Sequence, residues 1–156
     1  DLADWVHLTA AYSFLNAYMR YVDPGLSPAD QDRYYVEGGA VGRAFGARHP
    51  STSAAMTAER MQAMRRCLVR HPIIDEFLAI VRRASPMGAV GRALQPLVVE
   101  ASIDLLPPGV AAQLGLVANP VRLAAAKVTL SALGRAARLA PGPIPRQAYA
   151  RMGRRP

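Results

Sequence analysis

The stretch from Leu2 to Val22 constrains the fold more than any other part of the chain. Placed on a helix at about 100° per residue, it is apolar almost all the way round. Only a narrow strip is polar, and it consists of Thr9, Ser13, Asn16 and Arg20. A helix that is hydrophobic on both sides lies inside a domain rather than on its surface. Because the stretch also contains an Asp, a His and an Arg, it is a poor membrane span, and we predict a buried core helix.

The rest of the chain predicts further helices and no sheet. Pro, Gly and capping residues divide it, and no alternating pattern of the strand type extends over more than a few residues. The predicted helices cover 28–45, 54–70, 73–84, a segment interrupted by Pro96 that reaches Leu106, a short segment ending at Gly115, and 120–140. The expected fold class is all-α, an orthogonal bundle of about six to seven helices around the central buried helix Leu2–Val22.

The apolar faces of these helices predict which side chains are buried. The predicted buried residues are Tyr34, Val41 and Phe45 in the second helix, and Phe77, Ile80 and Val81 in the fourth. Glu37 and the pair Tyr34–Tyr35 could instead face a pocket, but a surface carboxylate and two packed tyrosines are favoured. The single cysteine, Cys67, excludes an internal disulfide and a cysteine-based zinc site, and we expect its thiol to be packed in the third helix. The length of 156 residues fits one domain, 1–156, in which 142–156 is a basic, flexible tail.

His7 lies among small side chains on the first helix. Ala3, Ala10 and Ala11 flank it at helical spacing, and Phe14 lies two turns further on. Three small residues around one imidazole leave a flat recess of the shape that a planar cofactor needs, and haem iron is commonly held by one His. The alternative is a core histidine that hydrogen-bonds to a backbone carbonyl, with alanines that serve close helix packing. From spacing alone, one histidine is weak support for a ligand, and the core interpretation is favoured.

Three glycines interrupt the second predicted helix. Each of Gly38, Gly39 and Gly42 weakens a helix by about 1 kcal/mol relative to alanine. Their presence indicates the close approach of another helix or of a cofactor edge.

The net charge of +8 belongs wholly to the C-terminal half. Residues 1–81 carry eight Arg and nine acids, whereas residues 82–156 carry ten Arg and one Lys against two acids. Such an excess attracts anionic surfaces such as membranes, and Lys127, Arg135 and Arg138 share one face of the last helix. The alternative is an ordinary solvated face. We expect no nucleic-acid partner, because the arginines are not interleaved with aromatic residues and no recognition motif is present.

Several short motifs follow one another in a definite order along the chain. They are D-x-x-x-W-V-H at 1–7, L-S-x-x-x-x-D-R-Y-Y-x-E at 26–37, V-G-R at 41–43, L-L-P-P at 105–108 and L-G-L at 114–116. In this order and spacing, the chain resembles the C-terminal part of the MpaB / rubber-oxygenase (latex-clearing protein) catalytic domain family. The resemblance runs over most of the 156 residues.

The resemblance implies an all-α, haem-b-dependent oxygenase that uses O₂ to cleave a carbon–carbon double bond in a polyisoprenoid or another hydrophobic substrate. It assigns the axial ligation of the haem iron to His7, the His of the Trp-Val-His helix. With that role for His7, the residues expected to pack against the haem face are Ala3, Ala10, Ala11 and Phe14. Family members carry further helices, with the oxygen-binding side, before this region. We therefore expect a C-terminal part that lacks the N-terminal portion of the domain and is inactive alone, and we assign no catalytic residue within it.

A second hypothesis comes from a different class of protein. It is a non-catalytic helical binding module whose basic C-terminal half faces a membrane surface. No apolar run reaches membrane-spanning length, which favours a cytoplasmic protein or peripheral membrane contact and leaves secretion open. An absorption spectrum distinguishes the two hypotheses, because a Soret band is expected only from the haem-dependent oxygenase.

Overall fold

The computed structural model describes residues 2–84 and 88–139. Over these residues the chain forms seven helices and no strand, which confirms the predicted all-α fold. The helices are α1 (Leu2–Tyr21), α2 (Pro28–Ala44), α3 (Ala54–Arg65), α4 (Ile73–Arg83), α5 (Gly88–Asp104), α6 (Val110–Gln113) and α7 (Pro120–Leu139). Within this part of the chain, no helix combines the length and the apolar character that a bilayer crossing requires. The predicted basic tail, 142–156, lies outside the described residues.

Side-chain caps fix where three of the helices begin. Ser27 precedes α2, and its hydroxyl oxygen accepts a hydrogen bond from the backbone N–H of Asp30 at 3.1 Å. Ser53 does the same before α3 for Met56, and Asn119 before α7 for Arg122. These oxygens satisfy backbone donors that have no partner in the first turn of a helix. The polar residues that the sequence offers at these boundaries therefore set the helix starts.

Helix α1 packs against α2, α3 and α7, so it holds the central position that the sequence predicts. Its inward residues Leu8 and Leu15 are buried. Its other side is open, because Val6 is 56% exposed and Phe14 is 69% exposed. Among the described residues, the expectation that both sides of this helix are covered therefore holds for one side only.

The core lies where α1, α5 and α7 meet. Tyr21, Ala101 and Ala126 are buried there, and Leu97, Leu105 and Leu130 pack around them. Gly134 of α7 permits the closest approach, since a Cβ atom at that position would overlap the carbonyl oxygen of Tyr21. Small residues on facing helices thus let the backbones of α1 and α7 come together.

The buried face of α2 differs from the prediction. Tyr35, Gly39 and Gly42 are its buried residues, whereas Val41 and Phe45 are exposed. Apolar periodicity correctly groups Tyr34, Val41 and Phe45 on one face, but that face does not pack into the core. The two glycines face inward because they allow neighbouring groups to lie directly against the helix backbone.

Two further burial predictions are wrong. Phe77 and Ile80 of α4 are 62% and 60% exposed, because α4 packs mainly against α5 among the described helices. Helix α3 ends at Arg65 rather than near residue 70, so Cys67 lies beyond it and is exposed. The helix ends there because the side-chain amide of Gln113 in α6 donates hydrogen bonds to the carbonyl oxygens of Arg65 and Leu68.

Candidate functional site

The open side of α1 forms an apolar recess against α2, with a volume of about 810 Å³. We call it the His7 recess, and its lining residues are Leu2, Ala3, Val6, His7, Ala10, Ala11 and Phe14 of α1, Tyr34, Gly38 and Val41 of α2, and Phe45. Every residue that the sequence places around His7 is therefore in this recess. Its volume lies in the range of small-molecule and cofactor pockets, about 300–1,000 Å³.

The imidazole of His7 lies flat against the backbone of α2 at Gly42. A Cβ atom at Gly42 would lie 2.6 Å from Nε2 of His7 and 2.7 Å from both Cδ2 and Cε1. Nearly equal distances to three ring atoms place that position over the face of the ring, not in line with its edge. The in-plane direction in which a ring nitrogen bonds a partner is therefore not occupied by Gly42.

Neither ring nitrogen of His7 has a hydrogen-bond partner among the described residues. The alternative interpretation from sequence, a core histidine bonded to a backbone carbonyl, requires such a partner. His7 is half-buried, and the side chains that line its recess are otherwise almost all apolar. A partly buried imidazole without a partner is a polar group available to a ligand.

Tyr34 lines the recess, although the sequence favours a packed position in the core over a position facing a pocket. Burial raises the pKa of its phenol, so the group is neutral at ordinary pH. Its ring packs edge to face on Tyr35, with ring centroids 5.4 Å apart. One sequence feature could have identified Tyr34 as a lining residue. It is the face that follows the helical period along α2 and consists of Tyr34, Gly38, Val41 and Phe45.

Asp4 attaches the start of α1 to the loop that follows α2. One carboxylate oxygen accepts the backbone N–H of His49 at 2.8 Å, and the other lies 3.6 Å from Nδ1 of the same residue. The hydrogen bond from the backbone of His49 is the main reason that the pKa of Asp4 lies below its ordinary value, with desolvation acting in the opposite direction. Arg60 of α3 donates to the carbonyl oxygen of His49 and so supports the loop. These contacts hold α1 in place one turn before His7.

A second apolar cavity, of about 410 Å³, lies on the other side of α1 between α3, α5 and α6. Phe14 lines both this cavity and the His7 recess. Met61 and Leu68 form part of its wall, together with Leu105 and Leu114 from the two later sequence motifs. The cavity shows that these motifs lie close to α1 in space.

The basic face predicted on α7 is largely paired with acids from other parts of the fold. Nζ of Lys127 lies 3.2 Å from Asp104, and a guanidinium nitrogen of Arg138 lies 3.1 Å from Asp23. Of the three cations proposed for a membrane contact, only Arg135 has no ion pair among the described residues. Peripheral membrane contact stays a prediction, with fewer unpaired charges to support it than the sequence suggested.

Cofactor and small-molecule sites in helical domains commonly lie between two facing helices. The His7 recess also lies between two helices, α1 and α2. Over residues 1–139, the chain matches the family described as "ER-bound oxygenase mpaB/B'/Rubber oxygenase, catalytic domain". The chain therefore belongs to this family of oxygenase catalytic domains. Comparison with curated proteins and with solved structures found no match.

Proposed function

We propose that this domain is a haem-b-dependent oxygenase domain in which His7 is the axial ligand of the haem iron. The observation that carries the proposal is the unbonded imidazole of His7 in an apolar recess, with each of the predicted flanking residues beside it. Membership in an oxygenase family supports the same chemistry.

The residues of the recess fit a haem better than a bare metal ion. Among the described residues, no group of three or more His, Cys, Asp or Glu side chains could hold a metal ion. Haem iron needs only an axial ligand from the protein, because the macrocycle supplies its other nitrogen ligands. Ala3, Ala10 and Ala11 carry side chains small enough for a planar group to approach α1 closely.

The remaining residues of the recess would bind and shield rather than react. When bound, the haem would supply the oxygen chemistry. Phe14, Val41 and Phe45 would cover its apolar surface and reduce access of water. Tyr34 would stay neutral there, because burial raises the pKa of its phenol. We assign none of these side chains a proton-transfer role.

We propose a hydrophobic substrate, such as an isoprenoid or polyisoprenoid, on the basis of the family resemblance and the apolar lining. Oxidative cleavage of one carbon–carbon double bond with both atoms of O₂ gives two carbonyl groups and needs no external reductant. An apolar recess suits such a substrate, since it binds by loss of water-exposed hydrocarbon surface.

Replacement of His7 tests the haem assignment. In the full-length protein, His7→Ala should abolish stoichiometric haem and its Soret band, while the helical circular dichroism largely remains. The matched control is His71→Ala, because His71 is an exposed residue of the turn before α4. Equal haem content in wild type and His7→Ala would contradict the proposal, and so would loss of haem in both variants.

A further inference from the structure

Gly42 lies against His7, the residue that we propose as the ligand of the haem iron, although Gly42 does not line the His7 recess. The position of a Cβ atom there falls over the imidazole face, at distances of 2.6–2.7 Å from three ring atoms. Real Cβ atoms essentially never come that close to other heavy atoms, so any side chain at this position displaces the ring. Glycine at 42 is thus required for the observed orientation of His7.

A histidine that binds a metal is usually oriented by a hydrogen bond from its other ring nitrogen to a carboxylate, a carbonyl or water. Among the described residues, His7 has no such partner. One contact that restricts its ring is the flat packing against α2. The backbone of α2 at Gly42 therefore restricts the plane of the ring, which in other sites a hydrogen bond does.

The neighbouring glycines of α2 do not share this contact. A Cβ atom at Gly38 would meet nothing within 4 Å, and one at Gly39 would lie 3.5 Å from Pro50. Gly39, which does not line the His7 recess, is therefore a matched position on the same helix, with the same gain in helix propensity on substitution and without the clash.

We infer that Gly42 is a positioning residue for His7, because it sets the plane of the imidazole by letting the ring lie on the backbone of α2. The part of this inference that concerns haem rests on the proposed function. The contact between the ring and Gly42 does not, since it belongs to the protein without a cofactor. The two parts can therefore be tested separately.

The experiment compares Gly42→Ala with Gly39→Ala, each in the His7 protein and in the His7→Ala protein. Without haem, Gly39→Ala should raise the thermal unfolding midpoint by about 2–4 °C in both backgrounds. Gly42→Ala should give that rise only in the His7→Ala background, where no ring is displaced. Haem affinity in the His7 protein should fall roughly tenfold or more for Gly42→Ala, and Gly39→Ala, at a residue outside the lining of the His7 recess, should change it less than twofold.

The outcomes separate the two parts. Equal behaviour of the two alanine variants in the His7 protein, in both stability and haem affinity, would overturn the role of Gly42. A Gly42→Ala variant that is equally destabilised with and without His7 would also overturn it, because the clash would then lie elsewhere. If the wild type binds no haem, the proposed function fails, while the dependence of the unfolding midpoint on His7 still decides the contact.

Discussion

The two sides of α1 use small residues for opposite purposes. On the α7 side, Ala126 is completely buried, and Gly134 brings the two backbones so close that no side chain fits between them. On the α2 side, the alanines of α1 and Gly38 of α2 border an open recess of about 810 Å³. The same residue types therefore close one interface and leave space in the other.

The difference between the two sides comes from what the small residues face. Gly134 faces backbone atoms of Tyr21 and Val22, which cannot rotate away. Gly42 faces the side chain of His7, which can rotate about its side-chain torsions. A glycine that meets a backbone fixes a helix–helix distance, and a glycine that meets a side chain fixes only an orientation. We expect Gly134 to be essential for the stability of the fold and Gly42 for the binding of haem.

The largest effect on stability should come from Gly134→Ala. The added methyl group would overlap the carbonyl oxygen of Tyr21 and lie 3.2 Å from Cα of Val22, so α1 and α7 must separate. We expect a loss of about 3 kcal/mol or more in the free energy of unfolding, measured by denaturant titration. Gly42→Ala in the same assay should cost far less. Similar losses for the two variants would contradict the distinction between backbone and side-chain neighbours.

A smaller effect should distinguish adjacent residues on the two sides of α1. Leu15 is 3% exposed and Phe14 is 69% exposed. Leu15→Ala should cost about 2–3 kcal/mol, because it leaves a cavity in a packed interface. Phe14→Ala should change the free energy of unfolding by less than about 0.5 kcal/mol in the protein without haem. A large loss for Phe14→Ala would contradict the exposure of this side of α1.

The smallest effect should come from Asp4→Asn at the start of α1. The native pKa of Asp4 lies below its ordinary value, so the carboxylate stabilises the fold above that ordinary value, about 3.9. This contribution is lost as the pH falls through the lower native pKa. Unfolding midpoints between about pH 3 and 6 should therefore fall less on acidification in Asp4→Asn than in the wild type. Parallel curves for the two proteins would show that the contact with His49 contributes no stability.

Much of the site could be predicted from the sequence because most of it lies on one helix. His7, Ala3, Ala10, Ala11 and Phe14 share a face through the helical period alone, and the structure places them in one recess. The contribution of α2 could not be predicted in the same way. The pattern favours core positions for Tyr34 and Val41, because periodicity identifies an apolar face without saying what that face contacts.

The sequence by itself determined the helical class, the capped helix starts and the grouping of small residues around His7. These follow from local backbone preferences and from side-chain spacing along single helices. Only the tertiary structure decided which faces are covered, that Lys127 and Arg138 pair with acids from other elements, and that Gly42 rather than Gly38 meets the imidazole. Each of these depends on the relative placement of two helices, and that placement is set by packing between residues far apart in the chain.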